Sequence, residues 1–243
     1  MHRYPSYLLI FLAYALGGGS LILFGAFCYI GSLHVVGLGL NESRTILLDA
    51  CLSLTFFLQH SGMVRKPFRR YLAQLIPETF ISAVYAISSG FVLCTVILFW
   101  QETTYVIATA DSSLRILLRI TFLASIAGFV WGTKALGFFD PLGIKGILKH
   151  LHGKGPKEMP MTVKGPYRWV RHPLYLFVLI MIWSCPDLTL DRLLFNILWT
   201  AWIYMGALLE ERDLVEDFGE AYRQYQSKVP MLIPYRVYPS WPA

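Results

Sequence analysis

The chain has 243 residues, 56% of them hydrophobic and 15% charged, and its formal net charge is +6 at pH 7. An ordinary soluble domain carries roughly 25% charged residues, so this composition excludes a typical soluble protein. It predicts an all-α, polytopic integral membrane protein with about five or six transmembrane helices. The positive charge does not indicate a nucleic-acid partner, because the lysines and arginines lie beside apolar segments, where they mark topology and attract anionic lipid.

Six apolar segments follow one another along the chain, at about residues 7–30, 45–60, 80–100, 114–139, 173–186 and 192–209. A helix that crosses a bilayer needs roughly 20 apolar residues, so the first, third and fourth segments are long enough and the second is marginal. The last two segments are short and closely joined, which predicts a C-terminal helical hairpin. Their lengths leave open whether this hairpin crosses the membrane fully.

The distribution of basic residues predicts the orientation in the membrane. With a cytoplasmic N-terminus, 17 lysines and arginines fall in the predicted cytoplasmic segments and 4 fall outside or near the outer side. Because basic residues are enriched in cytoplasmic loops, both termini are predicted to be cytoplasmic. The whole chain is predicted to form a single domain, with a four-helix part at 1–139 and a part holding the candidate cofactor site at 140–243.

Two amphipathic helices are predicted on the cytoplasmic side. Over 144–151, apolar residues recur at helical spacing with basic residues between them, which is typical of a short helix lying on a membrane surface. Over 215–229, apolar residues recur every three or four positions, which predicts a second amphipathic helix that Pro230 ends. Small residues at 17–19 predict close helix packing in the first segment.

The cysteines predict neither a disulfide framework nor a metal site. Cys28, Cys51, Cys94 and Cys185 all fall in apolar stretches, and no two of them are spaced as Cys-x-x-Cys. Buried, unreactive thiols are therefore expected. The His-Leu-His run at 150–152 lacks further ligands at suitable spacing, so no metal is predicted there.

Charged and aromatic side chains gather at the predicted cytoplasmic ends of the apolar segments. Arg171 and His172 lie at the start of the fifth segment, and Glu210 and Glu211 follow the end of the sixth. In an antiparallel hairpin the start of one helix lies beside the end of its partner, so these residues are expected to meet in space. The predicted cytoplasmic ends of the apolar segments also carry Tyr167, Tyr175, His60 and Arg65.

This group of side chains matches the chemistry of S-adenosylmethionine. It offers donors for a carboxylate, acceptors for an amine or ribose hydroxyls, and aromatic walls for a base or a cation. Charges at membrane depth are costly, and glutamates at the C-terminal end of a helix oppose its dipole, so a functional role is favoured. The alternative is structural, with Arg171, His172 and Pro173 as an interfacial anchor and both glutamates solvated. The charge pattern alone leaves both open.

Five short motifs are spread over the C-terminal third of the chain. They are Gly-Pro-Tyr at 165–167, Arg-His-Pro-Leu-Tyr at 171–175, Glu-Glu at 210–211, Phe-Gly-Glu-Ala-Tyr at 218–222 and Val-Pro at 229–230. Together they resemble the membrane methyltransferase superfamily of isoprenylcysteine carboxyl methyltransferase. The resemblance implies a methyltransferase embedded in the membrane.

Further motifs narrow this resemblance and extend it over nearly the whole chain. They lie at 59–68, 99–101, 139–143 and 210–215. These segments look like the bacterial NnrU-like branch of the superfamily and, within it, like the methanethiol S-methyltransferases. The resemblance implies a location in the bacterial inner membrane.

The resemblance implies S-adenosylmethionine as methyl donor, bound on the cytoplasmic side without a Rossmann fold. The chain accordingly has no predicted strand followed by Gly-x-Gly-x-x-Gly. The stretch Met159–Thr162 matches a cofactor loop of the family by position only. The cofactor-binding residues that the resemblance implies are Tyr167, His172, Pro173, Leu174, Tyr175, Glu210 and Glu211.

The resemblance also bears on the methyl acceptor. The isoprenylcysteine enzymes carry a substrate-binding arginine four residues before the matching glutamate, and this position is Gly206 here. The difference argues against carboxyl methylation and favours a small lipophilic thiol, methanethiol, with dimethyl sulfide as product. A prenylcysteine carboxylate or a lipid acceptor, and a non-enzymatic NnrU-like membrane protein, are the alternatives.

Three residues are the candidates for catalysis on a thiol. The thiolate is the competent nucleophile, so a basic group must accept the thiol proton. His172 and His60 are both suitable near neutral pH, and the sequence does not decide between them. Arg171, or the sulfonium of the donor, would favour the thiolate electrostatically.

Overall fold

Helices make up nearly all of the regular structure. The computed structural model describes residues 3–137, 140–152, 161 and 163–235, without the side chains of residues 3 and 4. In chain order the α-helices are α1 (Arg3–Leu12), α2 (Gly19–Ile30), α3 (Glu42–Val64), α4 (Lys66–Ala73), α5 (Glu78–Phe99), α6 (Ser112–Leu136), α7 (Ile144–Leu151), α8 (Pro173–Trp183), α9 (Leu190–Phe218) and α10 (Glu220–Lys228).

Shorter elements connect these helices. A π-helical stretch, Ala13–Gly18, joins α1 to α2, and a 3₁₀ turn, Gly165–Arg168, precedes α8. Two short strands, β1 (Val106–Thr109) and β2 (Asp187–Thr189), pair in a two-stranded sheet. These strands were not predicted from the sequence, because each is too short to show an alternating pattern.

Five helical stretches are long and apolar enough to cross a membrane. They are Pro5–Ile30, Glu42–Val64, Glu78–Phe99, Ser112–Leu136 and Leu190–Phe218. These stretches confirm the prediction of an all-α, polytopic integral membrane protein. Helix α8 is apolar but has 11 residues, which is about half of what a span needs.

The chain divides into two compact units whose segments alternate along the sequence. The first unit comprises Met1–Val106, Asp140–Glu158 and Thr189–Phe195, and the second comprises Ile107–Phe139, Met159–Leu188 and Asn196–Ala243. Helix α7, which the sequence analysis grouped with the C-terminal part, therefore packs within the first unit. Helix α9 contributes its first residues to the first unit and the rest to the second.

Glycines allow close packing around α5 in the first unit. A β-carbon on Gly90 would lie 2.6 Å from the carbonyl carbon of Leu16, so only glycine fits there. At the N-terminal end of α5, a β-carbon on Gly146 would lie 2.7 Å from the carbonyl oxygen of Thr79. The close packing predicted for 17–19 is confirmed at Gly17, which is buried.

The predicted helix at 144–151 is confirmed as α7. Its apolar residues Ile144 and Ile147 are buried, and the helix packs against α5. The His150 ring meets the Phe80 ring edge to face at a centroid distance of 5.1 Å. The apolar side of this helix is therefore at least partly covered by protein.

Buried charges fix the start of α9 in the first unit. The Asp191 carboxylate accepts hydrogen bonds from Trp100 Nε1 at 3.1 Å and from Thr103 Oγ1 at 2.8 Å. The neighbouring Arg192 guanidinium donates to the carbonyl oxygen of Phe27 at 3.1 Å, at the C-terminal end of α2. Because buried charges are tolerated only with partners, these contacts determine where α9 begins.

In the second unit, α8 packs against α6 and runs antiparallel to α9. A β-carbon on Gly132 of α6 would lie 2.7 Å from Leu174 Cδ2, so the two helices approach closely there. At the other end of α8, Trp183 Nε1 donates to Thr200 Oγ1 of α9 at 2.9 Å. The predicted hairpin is thus confirmed, and it brings the start of α8 beside the last turns of α9.

Two predicted helix boundaries near the C-terminus are wrong. Helix α9 does not end near residue 209 but continues through its charged last turns to Phe218. The amphipathic helix predicted over 215–229 is interrupted at Gly219, where φ is 57°, a value that favours glycine. The apolar residues of the predicted helix nevertheless form one cluster, because Tyr222 and Tyr225 of α10 and Val229 just after it are buried against Val215 and Phe218 of α9.

Candidate active site

The start of α8 is held in place by the segment that follows α10. The Arg171 backbone N–H donates to the carbonyl oxygen of Pro230 at 2.9 Å, and the His172 N–H donates to that of Met231 at 3.1 Å. Pro173 then begins α8 in the helical position where a missing N–H costs nothing. This backbone pairing fixes where the Arg171 and His172 side chains emerge.

The Glu211 carboxylate is the centre of a buried ionic network. It accepts from Arg171 Nε at 2.5 Å and from Arg171 Nη2 at 2.9 Å, in a two-pronged pair. His172 Nε2 lies 3.1 Å from the same carboxylate, and Gln226 Nε2 donates to it at 2.9 Å. The Arg171 and Glu211 side chains are each 10% exposed. This carboxylate is therefore occupied by protein donors.

Arg171 also stabilises the end of α10. Its Nη1 donates to the carbonyl oxygen of Gln226 at 3.0 Å and to that of Val229. The last carbonyl groups of a helix have no partner within the helix, and a cation near them is favourable. Arg171 thus joins the start of α8, Glu211 in the C-terminal part of α9 and the end of α10 through one side chain.

Glu210 is arranged differently from its neighbour. Its side chain is 45% exposed, and its Oε2 accepts a hydrogen bond from the Tyr175 hydroxyl at 2.6 Å. His172 Nδ1 lies 3.7 Å from the same oxygen. The carboxylate is therefore oriented by protein groups but remains accessible to a ligand.

The His172 ring lies between the two carboxylates and is almost fully buried. Its plane is stacked on the Tyr175 ring, with centroids 5.4 Å apart and an interplanar angle of 9°. A glutamate paired with arginine is ionised and can only accept, so the hydrogen bond to Glu211 places the proton on His172 Nε2. In the neutral ring, His172 Nδ1 is then the nitrogen that can accept a proton, and it lies 3.7 Å from Glu210 Oε2.

Three buried tyrosines lie beside this network. The Tyr225 hydroxyl donates to the carbonyl oxygen of Tyr167 at 2.5 Å, which links α10 to the 3₁₀ turn before α8. Burial raises the pKa of Tyr167, Tyr222 and Tyr225 above the ordinary value, and for Tyr167 the nearby Glu210 carboxylate adds to the effect. These phenols therefore remain neutral over the physiological range.

The raised pKa of these phenols predicts a loss of stability at alkaline pH. A group whose pKa is higher in the folded state stabilises the fold below its unfolded pKa, about 10 for tyrosine, and this contribution disappears as the pH rises further. Replacing Tyr222 with phenylalanine is expected to reduce the drop in unfolding temperature between pH 8 and pH 11. Tyr204→Phe, at an exposed position of α9, is the control, and equal drops in wild type and Tyr222→Phe would contradict the prediction.

The hairpin unites most of the predicted site residues. Arg171, His172, Tyr175, Glu210 and Glu211 form one hydrogen-bonded group, as the antiparallel arrangement predicted. Tyr167 and Pro173, which are close to these residues in sequence, are both buried. Leu174 packs against α6 beside Gly132. The predicted cofactor loop, Met159–Thr162, lies outside the described residues except for Met161, which packs against the Tyr222 cluster.

His60 belongs to the first unit. It lies near the end of α3, and its Nε2 is 2.6 Å from the Tyr85 hydroxyl of α5. Its ring also meets that of Phe56 at a centroid distance of 5.0 Å. Arg65, also in the first unit, follows the last residue of α3.

Several curated proteins are similar to the chain over most of its length. The methanethiol S-methyltransferase of Pseudomonas sp. strain GM41 is 37% identical over 201 residues, which cover 82% of this chain and 77% of that protein. Methanethiol S-methyltransferase 1 of Bradyrhizobium diazoefficiens is 32% identical over 206 residues, covering 82% and 70%. The methanethiol S-methyltransferase of Crocosphaera subtropica is 31% identical over 235 residues, covering 88% and 91%.

The chain belongs to the methanethiol S-methyltransferase family. This membership confirms the resemblance that the sequence motifs indicated. Nurim of Rattus norvegicus is a more distant relative. It is 25% identical over 189 residues, which cover 71% of this chain and 71% of nurim. No family model matches the chain. No solved structure matches it either.

One residue of this site, Gln226, was not predicted from the sequence. Gln226 binds Glu211 through its side chain and Arg171 through its carbonyl oxygen. A glutamine on a predicted surface helix gives no signal of such a role. Its position one turn after Tyr222, on the side of α10 that carries buried residues, is the only indication that the sequence contains.

Proposed function

We propose that this protein is an S-adenosylmethionine-dependent membrane methyltransferase that methylates methanethiol and releases dimethyl sulfide. The relatives named methanethiol S-methyltransferase support the methyltransferase class and the acceptor. The observation that carries the proposal is the contrast between the two glutamates. Glu211 is occupied by protein donors, whereas Glu210 is oriented by Tyr175 and exposed for a ligand.

The described residues fit S-adenosylmethionine by their chemistry. Glu210 offers acceptor oxygens for an ammonium group or for ribose hydroxyls, and the stacked rings of His172 and Tyr175 offer an aromatic surface for a base or a cation. Tyr167, a neutral phenol, would complete this site. When bound, the donor supplies an activated methyl group on a sulfonium, ready for in-line displacement.

His172 is the proton acceptor in this proposal. Its Nε2–H is held by Glu211, so its Nδ1 is available to take the proton from the thiol as the sulfur attacks the methyl carbon. The ionised Glu211 also stabilises the imidazolium that this transfer creates. His60 is the alternative acceptor, in a different setting beside Tyr85.

Arg171 acts in this proposal by positioning its neighbours. Four hydrogen bonds, two to Glu211 and two to carbonyl oxygens at the end of α10, engage its guanidinium. It therefore holds Glu211 against His172 rather than approaching the substrate. Arg171, as an alternative to the donor sulfonium, was predicted from sequence to promote thiolate formation, a role that these contacts do not favour.

Gly206 supports a small acceptor that carries no carboxylate. Among the described residues outside the adjoining backbone of α9, no heavy atom would lie within 4 Å of a β-carbon at this position, so it faces open space there. The related isoprenylcysteine enzymes carry an arginine at the matching position. Without a basic side chain at Gly206, a neutral thiol suits the site better than a prenylcysteine carboxylate.

Binding of S-adenosylhomocysteine to detergent-purified protein tests the donor site. Glu210→Gln is expected to weaken binding by about tenfold to a hundredfold, because a hydrogen bond to a charged group contributes about 1.5–3 kcal/mol. Glu216→Gln is the matched control, since Glu216 is an exposed carboxylate on the same helix. Isothermal calorimetry that shows no binding to wild type would instead support a non-enzymatic membrane protein.

The acceptor is tested in cells that express the chain and are fed methanethiol. Gas chromatography of the headspace is expected to detect dimethyl sulfide above the level of an empty-vector strain. If the protein binds S-adenosylhomocysteine but releases no dimethyl sulfide, the methyltransferase proposal stands and methanethiol is the wrong acceptor. Prenylcysteine and lipid acceptors would then be compared with labelled donor.

A further inference from the structure

Helix α4 links two membrane-length helices in the first unit. It begins two residues after the end of α3, and α5 begins five residues after the end of α4. Because both neighbours are long enough to span a membrane, a connection this short must remain at the membrane surface. The segment 65–77 carries four lysines and arginines and no aspartate or glutamate.

The two sides of α4 differ in chemistry. Phe68 and Tyr71 of α4 and Leu75, two residues beyond its end, follow one another at three- and four-residue spacing, and they are 38%, 57% and 64% exposed. Arg69 and Arg70 are exposed as well, and a helical wheel places them away from this apolar side. The segment therefore has an aromatic and aliphatic side and a basic side.

Protein contacts alone do not account for this helix. None of its residues is buried, and it has eight residues, whereas isolated helices shorter than about 12 residues are marginal in water. Its apolar side chains would gain by leaving water, and a position between two spans puts them beside lipid. A basic amphipathic helix at this depth is typical of binding in the headgroup region.

We propose that α4 is an interfacial helix that binds anionic phospholipid. Phe68, Tyr71 and Leu75 enter the boundary between headgroups and acyl chains, and Arg69 and Arg70 bind the phosphate groups. Arg69 and Arg70 are exposed and the sequence 65–77 contains no aspartate or glutamate, so an anionic leaflet is preferred over a zwitterionic one. This proposal does not depend on the identity of the methyl donor or acceptor.

Lipid titration of the full-length protein in detergent tests this proposal. The probes are fluorescently labelled phosphatidylglycerol and phosphatidylcholine, and the readout is anisotropy. Wild type is expected to prefer phosphatidylglycerol, and the double variant Arg69→Gln/Arg70→Gln is expected to lose about thirtyfold in affinity for it. The matched control is Arg212→Gln/Arg223→Gln, which removes two exposed arginines from α9 and α10.

A second measurement makes the test independent of any single variant. In nanodiscs, trypsin is expected to cleave after Arg69 and Arg70 at least tenfold more slowly with phosphatidylglycerol than with phosphatidylcholine, whereas cleavage after Arg223 changes little. Equal cleavage at Arg69 and Arg70 in both lipids would overturn the proposal. So would equal affinities of wild type for the two lipids, or the same loss in the control variant. Unchanged unfolding temperatures would exclude misfolding of the double variants.

Discussion

Replacing Glu211 with glutamine is expected to lower the free energy of unfolding by about 3–5 kcal/mol. The substitution keeps the shape of the side chain but removes the charge opposite Arg171, whose guanidinium is 10% exposed. A buried cation then lacks its counter-ion, and the end of α10 loses the arrangement that Arg171 maintains. For a protein of this size the change corresponds to a decrease of roughly 10 °C in unfolding temperature, measured by intrinsic fluorescence in detergent.

The adjacent Glu210 provides the matched control. Its side chain is 45% exposed, so Glu210→Gln is expected to change the free energy of unfolding by less than about 1 kcal/mol. The two neighbouring substitutions should therefore have different effects. Glu211→Gln should reduce stability, and Glu210→Gln should weaken binding of S-adenosylhomocysteine. Equal destabilisation by both would contradict the distinct roles that the structure gives to these carboxylates.

The sequence predicted that Arg171 and His172 would lie close to the two glutamates, but it did not predict that Glu210 and Glu211 would have different roles. Two apolar segments joined by a short connection must run antiparallel, which brings Arg171 and His172 beside Glu210 and Glu211. Adjacent residues on a helix point about 100° apart, so one glutamate of the pair had to face away from the other. Only the position of α10, with Gln226 beside Glu211, shows which carboxylate is buried.

The position of α10 itself could not be predicted because the apolar pattern hides the break before it. The spacing from Val215 through Phe218 to Tyr222 fits one continuous helix, and a single glycine within a helical pattern is often tolerated. The chain instead turns at Gly219 and still packs its apolar residues in one cluster, through tertiary contacts. Periodicity thus predicted which residues are buried but not the direction of the chain.

The charged end of α9 was missed for a related reason. Hydropathy places the end of an apolar segment where charges begin, near residue 209. The helix continues to Phe218, and Glu211, two residues past that boundary, has Arg171 and His172 as partners inside the protein. A hydropathy boundary marks the end of the apolar stretch and not the end of the helix.

Replacing His172 with alanine is expected to reduce kcat for thiol methylation by about a hundredfold to ten-thousandfold with saturating donor, the usual contribution of a positioned acid or base. In the neutral ring, the hydrogen bond to Glu211 occupies Nε2 and leaves Nδ1 to accept the proton. The loss should be greatest near neutral pH and should shrink at high pH, where more of the thiol is already ionised without a base. Initial rates of dimethyl sulfide formation between pH 6 and pH 10 measure this dependence.

His60→Ala distinguishes base catalysis by His172 from the alternative. His60 is paired with Tyr85, so its removal should change kcat by less than about tenfold if His172 accepts the proton, which is the range expected for a lost neutral hydrogen bond. Because removing the His172 ring also removes a stacking partner of Tyr175, added imidazole is the decisive measurement. Partial recovery of the rate in His172→Ala, but not in Glu210→Gln, would indicate a missing base rather than a distorted site. Full activity of both histidine variants would exclude histidine as the proton acceptor.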